Sequence, residues 1–381
     1  MSKFCIVPWT HIEVSPSGDV RPCCEYESSM GNISHNDNNI IDVWNNDLFK
    51  QLRQDYLNGV NPAGCAKCTQ CEDVGIKSRR QYENKKYKHL FNKATSVTAD
   101  DPAMMDIKFG NICNIKCRIC SSKNSHVWKK DEIKLFGFTT IEDNRQPWVD
   151  IDSRWDELSE FIDNLEVLYI SGGEPLLIKK NYQFLQACIE KNKSKDISVR
   201  ILTNGTIALE PKLIEILKQF KHVYIGYSID DLGEKFNYQR NPAKWDKVET
   251  NFINALKNDF IHFGISYSIS VFNVLSGEEF INWCNQINFP VKNIVKNFVR
   301  HPNHFDISML MPNEKEQIIK KLGDNIIDND IKNYLLSTFT NHSLGDVRNN
   351  RIQIITGIDD LRNEKFNQVF PELNQILRIS I

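Results

Sequence analysis

The sequence has no apolar run of about 18 residues, which excludes a transmembrane helix and a membrane partner. No charge of one sign dominates: 47 Lys and Arg face 49 Asp and Glu, for a formal net charge of −2. That balance argues against a strongly basic nucleic-acid binder, so a nucleic-acid partner is not expected. The opening residues MSKFCIVPWTHIEV lack a basic segment followed by an apolar run and a small-residue cleavage site. A secretory leader is therefore not expected. None of the nine histidines has a spacing that marks a metal ligand. Charged residues make up 25% and apolar residues 41%, an ordinary soluble composition. At 381 residues, the chain is long enough for roughly two to three domains and a core without disulfide staples.

Cysteine stands out. The chain has 11, nine of them within the first 120 residues, with only Cys188 and Cys284 beyond. Without export, the expected setting is the cytoplasm, where thiols stay reduced and metal binding outweighs disulfides. An odd total also leaves one thiol over in any all-disulfide scheme. Cys188 and Cys284 each fall inside an amphipathic helical pattern and read as buried apolar residues.

The chain reads as three zones, 1–100, 101–311 and 312–381. The first is rich in cysteine and turn signals, with Ser15-Pro16-Ser17-Gly18-Asp19 predicting a hairpin and residues 42–57 a short amphipathic helix. Its basic segment 76–93 reads as a solvated helix face, with an anion or nucleic-acid contact as the alternative. In the second zone, apolar runs at 104–110, 167–173, 198–205, 222–230, 262–271 and 291–300 predict strands. Helical patterns lie between several of them, at 179–192, 211–220, 242–258 and 277–288. Strands alternating with helices imply right-handed crossovers and an α/β fold with a parallel sheet. Ligands of such sheets gather at the carboxyl ends of the strands. The third zone is a polar helical extension with no recognisable chemistry.

Just after the first of these strands come Cys113, Cys117 and Cys120, spaced C-x3-C-x2-C. Thiolates are soft ligands for iron–sulfur clusters and zinc. Three in one loop can hold three corners of a four-iron cluster and leave one iron open. The alternatives are a zinc site completed from elsewhere, or a chance grouping of thiols. After the second strand stands Gly172-Gly173-Glu174-Pro175. Its glycines let backbone approach a ligand, its carboxylate suits an ammonium group, and its proline suits the first turn of a helix.

In these two motifs and their placement, residues 104 to about 310 resemble the radical S-adenosylmethionine (radical SAM) superfamily, which is built on a partial (βα)6 TIM-like barrel. The resemblance implies that Cys113, Cys117 and Cys120 ligate a [4Fe-4S] cluster and that SAM chelates the open iron. It implies that Gly172, Gly173, Glu174 and Pro175 contact the SAM amine, and that Thr203 and Asn204 line its pocket. Ser228 and Asp230 lie in a segment similar to the superfamily's S-[IL]-D-G element, and Arg240 matches its later arginine. Asp231 replaces the usual glycine.

The N-terminal cysteines resemble the SPASM and twitch modules that bind auxiliary clusters. Cys5, Gly18 and Cys23 fit C-x12-G-x4-C, and Cys65 and Cys68 fit the later C-x2-C. Such modules usually follow the barrel; here a small cysteine-rich SPASM/twitch-like domain precedes it. Phe4-Cys5 and Pro8-Trp9 match the F-C-x3-P-W opening of twitch-domain radical SAM proteins, with Trp9 read as core. One fully ligated auxiliary [4Fe-4S] cluster needs four thiols, and the pattern selects Cys5, Cys23, Cys65 and Cys68; Cys24 and Cys71 stay open. A zinc ribbon on the same four residues is the alternative.

The resemblance implies an enzyme in which a low-potential donor of flavodoxin or ferredoxin type reduces the barrel cluster. SAM is cleaved to methionine and a 5′-deoxyadenosyl radical, which abstracts hydrogen from a peptide, protein or small-molecule substrate. No residue is singled out as catalytic. The competing reading is a metal-binding scaffold or partner-binding protein that keeps the barrel and does no chemistry. The intact cysteine triad, Glu174 and Arg240 speak against it.

Overall fold

A computed structural model describes residues 4–34, 39–73, 75, 77–139, 147–336 and 344–379. It contains nine strands: β1 His11–Val14, β2 Asp19–Arg21, β3 Gly31–Asn32, β4 Met104–Ile107, β5 Val167–Ile170, β6 Ser198–Thr203, β7 His222–Ser228, β8 Ile261–Ile269 and β9 Ile294–Phe298. The class is α/β with a parallel sheet, and helices separate β4 to β9 along the chain. No helix among the described residues is long and apolar enough to cross a membrane. The chain divides into two compact units. One comprises Met1–Ile112, Glu142–Ile201 and Glu210–Tyr224, the other Cys113–Ile141, Leu202–Leu209 and Ile225–Ile381.

In the first unit the strand order is β3-β2-β1-β4-β5-β6. β1 and β2 form the expected antiparallel hairpin, with Gly18 at φ +82 in its turn. A Cβ on Gly18 would also crowd the Ser34 amide at 3.0 Å, so the turn needs a residue without a side chain. β1 pairs in parallel with β4, so the cysteine-rich segment extends the sheet that the later strands continue. Sequence gave no sign of that pairing, because β1 is only four residues long.

The two faces of this sheet differ sharply. One face runs Ile12, Met105, Leu168 and Val199 in one row and Val14, Ile107, Ile170 and Ile201 in the next. All eight are buried to 2% or less and form the core. The opposite face carries a row in register of Glu13, Asp106, Tyr169 and Arg200. Lys108 bridges the first two, at 2.6 Å to Glu13 and 3.2 Å to Asp106. A parallel sheet covered by helices is ordinarily apolar on both sides, so this polar row marks a face built for something other than packing.

The single helix expected over 42–57 is two, Ile40–Trp44 and Asp47–Leu57. Asn46 caps the second by accepting from the Phe49 amide, which ends the first helix before it can continue. In the basic segment, whose residue 76 lies outside the described residues, the helix spans Arg79–Lys86 behind a Ser78 capping box. It is not the solvated face expected from its composition: Arg80 and Glu83 are buried. Local charge cannot reveal that a basic side chain has an inward partner.

In the second unit, β8 and β9 pair in parallel. The extension beyond 312 is helical, including Pro312–Ile319, Ile326–Leu336 and Leu344–Arg362.

Candidate functional site

The loop 113–120 lies in the second unit and is tied down along its length. Lys116 and Arg118 donate their amides to the Asn241 and Gln239 carbonyls at 2.6 and 2.8 Å. Ser125 Oγ reaches the Ile115 carbonyl at 2.7 Å, and the Trp128 indole reaches the Cys117 carbonyl at 2.8 Å. Asn114 Nδ2 donates to Thr206 Oγ1 at 2.8 Å, and Asn114 Oδ1 accepts from Asn204 Nδ2 at 3.0 Å. A loop held at this many points presents its thiols in one geometry.

Those thiols are Cys113, buried, and Cys117 and Cys120, half-buried. Cys117 feels the charge of Cys113, and Cys120 that of both Cys113 and Cys117, so the three are close in space. Two donors point at them: Asn204 Nδ2 is 3.8 Å from Cys113 Sγ, and Arg240 Nη1 is 3.7 Å from Cys117 Sγ. Burial pushes the Cys117 thiol up to about 11, with Arg240 pulling the other way. Thiols in this state must lose protons when they take up metal. Three soft donors and preset N–H groups fit a thiolate-bound cluster.

Arg240 is itself fixed by Asp230, whose Oδ2 accepts from Nε at 2.9 Å and from Nη2 at 2.5 Å. The other Asp230 oxygen accepts from the Ser268 amide at 2.9 Å. Asp230 is thus committed to holding Arg240. Ser228 is half-buried at the end of β7. Thr203 Oγ1 accepts from the Gly205 amide at 3.1 Å, closing the turn after β6. Asp231, the departure from glycine, is buried between Gln239 Nε2 at 2.9 Å and Ser276 Oγ at 3.0 Å. Burial, partly opposed by Lys235 and by hydrogen bonds from the Leu232 amide and Ser276, raises its carboxyl to about 7. Asn273, just after β8, donates to the Asp230 and Ser268 carbonyls at 2.7 and 3.0 Å.

The glycine-rich turn belongs to the first unit. Gly172 and Gly173 have φ of +82 and +53, and a Cβ on Gly173 would lie 2.3 Å from the Ile112 carbonyl oxygen. Only glycine lets the turn approach that strand exit so closely. The Glu174 amide donates to the same carbonyl at 2.7 Å. The Glu174 side chain is fully buried and caps its own turn through the Leu176 amide at 3.1 Å, with Pro175 opening a 3-10 turn.

A second group of thiols gathers in the first unit. Cys5, Cys23, Cys65 and Cys68 line one small cavity together with Tyr56 and Arg80. Each sulfur has a hydrogen-bond donor: the Val7 amide for Cys5, the Glu25 amide for Cys23, the Tyr56 hydroxyl for Cys65 and the Arg80 amide for Cys68. Cys24 and Cys71 do not line the cavity. Cys24 instead accepts from Arg79 Nη1 at 3.0 Å. Cys24 is exposed. Among the described residues, no three His, Cys, Asp or Glu side chains are arranged to hold a single metal ion. Cys188 and Cys284 are fully buried in helices, as their pattern implied. A wider groove between the helices Asp152–Phe161 and Lys179–Glu190, lined by Trp155, Lys180 and Gln183, contains none of the motif residues.

Sequence reasoning missed Tyr56, Arg79 and Arg80 at the thiols, and Arg118 in the loop. Arg118 is wholly buried, bound to Asp359 at 2.6 Å and Glu364 at 2.5 Å, and stacked 3.5 Å from the Tyr238 ring centre. Its partners lie more than 100 positions away, beyond any spacing rule.

Residues 107–287 match the sequence model of the radical SAM superfamily, and residues 5–72 match that of SPASM, an iron–sulfur cluster-binding domain. Among curated proteins none matches the chain. Solved structures with some likeness include native anSMEcpe with bound AdoMet and Cp18Cys peptide, at 17% identity and TM-score 0.39, covering 52% of this chain and 51% of that one. Native anSMEcpe with bound AdoMet shows 16% identity and TM-score 0.39, with coverage of 69% and 63%. Streptococcus suis SuiB bound to precursor peptide SuiA shows 14% identity and TM-score 0.39, with coverage of 91% and 69%. This chain therefore spans about half to two-thirds of the length of the anSMEcpe chains.

Proposed function

Since residues 5–72 match the SPASM model and residues 107–287 after them the radical SAM model, we propose that the chain is a radical SAM enzyme that uses both cluster sites to modify a substrate by hydrogen abstraction. The observation that carries the reading is the pinned loop with three thiols and two N–H groups aimed at its sulfurs. When bound, a [4Fe-4S] cluster and SAM supply one-electron reductive cleavage to methionine and a 5′-deoxyadenosyl radical, the electron coming from a low-potential flavodoxin- or ferredoxin-type donor.

Cys113, Cys117 and Cys120 hold three irons. Asn204 and Arg240 donate to the sulfurs, and Asp230 keeps the Arg240 guanidinium in its plane by a two-point contact. Asp230 acts through Arg240 and does not contact SAM. The Gly172–Gly173 backbone gives the SAM amino end room to approach, and Glu174 supplies the carboxylate. Thr203 shapes the pocket turn, and Ser228 offers a hydroxyl. Cys5, Cys23, Cys65 and Cys68 hold an auxiliary cluster, with Cys24 and Cys71 outside it. The substrate is a peptide, protein or small molecule; the charge balance speaks against nucleic acid.

The test is anaerobic iron and sulfide analysis with a reductant-dependent SAM-cleavage assay. The expected result is about eight irons per chain, two four-iron clusters, and release of 5′-deoxyadenosine. Stoichiometric zinc with no cleavage would sink the reading. Cys24→Ala and Cys71→Ala are each expected to keep the full iron content, and a fall of about four irons in either would make that residue a ligand.

A further inference from the structure

Four sulfurs line the auxiliary cavity, and three of them receive hydrogen bonds from backbone amides. Backbone donors are fixed by the fold. The fourth is different: among the described residues Tyr56 is the one side chain that donates to these four sulfurs, its hydroxyl lying 2.9 Å from Cys65 Sγ. Tyr56 sits in the helix Asp47–Leu57, is 4% exposed, and has its ring against the edge of Phe4 at 6.5 Å. Phe4 in turn stacks on Trp9 at 5.6 Å. The F-C-x3-P-W opening thus does more than supply Cys5, since its two aromatic residues form a wall that fixes the Tyr56 ring.

From this geometry we infer that Tyr56 sets the reduction potential of the auxiliary cluster through its hydrogen bond to Cys65. The inference rests on the proposed cluster at Cys5, Cys23, Cys65 and Cys68. A hydrogen bond to a ligand sulfur draws off electron density, and it strengthens as the cluster gains negative charge on reduction. It therefore favours the reduced form, and its loss favours the oxidised form. In a site closed by Tyr56, Arg80 and the thiols themselves, little water is available to replace the lost donor. Tyr56 is a positioning and tuning residue; it touches neither SAM nor substrate in this scheme.

The experiment compares Tyr56→Phe with the parent chain, both in a background with Cys113, Cys117 and Cys120 changed to alanine so that the auxiliary cluster alone reports. Iron and sulfide are counted first, and the cluster is then titrated anaerobically at fixed pH by electron paramagnetic resonance. The expected result is unchanged iron with a lower midpoint, about a tenfold shift in the reduction equilibrium, or about 59 mV for one electron. The reduced parent exchanged into D2O should also show a deuteron coupled to the cluster, weakened in the variant. An unchanged midpoint overturns the inference, as does loss of the cluster in the variant alone, which would make Tyr56 a structural brace. Absence of a cluster in both chains would instead overturn the auxiliary-cluster reading on which it stands.

Discussion

Cys117→Ala is expected to reduce 5′-deoxyadenosine formation to background and to remove about four of eight irons per loaded chain, the content of one four-iron cluster. Three thiols leave no spare corner, and no other cysteine in the second unit is close enough to substitute: Cys284 is sealed within a helix. The fold should survive, because Arg240 keeps its Asp230 partner when the sulfur is gone. Iron analysis, the cleavage assay and a thermal melt together check this result. A variant that melts normally and still cleaves SAM at the parent rate would exclude Cys117 as a ligand.

Arg118→Met is expected to destabilise the second unit by about 3–5 kcal/mol, the usual result of removing one partner from a buried ion cluster. The guanidinium has no exposed surface, and its loss leaves Asp359 and Glu364 facing an apolar side chain. It also breaks the bond from Nε to the Tyr238 carbonyl at 3.0 Å and the stacking on Tyr238. Urea unfolding of the variant measures the loss. Adding Asp359→Asn and Glu364→Gln should restore part of it, since the stranded charges carry much of the cost. If the single variant unfolds at the parent midpoint, the cluster contributes nothing and the loop is held by its backbone bonds alone.

What the sequence made legible depended on distance along the chain. The cysteine triad and the glycine turn are compact motifs, so spacing was enough to find them and to place each after a strand. The long strands announced themselves through apolar runs, and the helices between them through periodicity. Cys5, Cys23, Cys65 and Cys68, selected by the pattern, line one cavity together. Arg79 and Arg80 were misread because a run of basic residues looks the same whether it faces water or a buried thiol. Arg118 read as filler between two cysteines, and only the distant carboxylates reveal its part. Family likeness marked the segment of Asp230, but only the structure shows its oxygens accepting from Arg240 and from the Ser268 amide.

The parallel pairing of β1 with β4 has a consequence for solubility. β4 is apolar on one side and would present an open ladder of amides and carbonyls along its edge if nothing lay beside it. β1 closes that ladder, and the sheet then ends at β3, only two residues long and itself ending in polar Asn32. An edge so short offers little template for a second chain. The cysteine-rich segment therefore covers the β4 edge whether or not it carries a cluster.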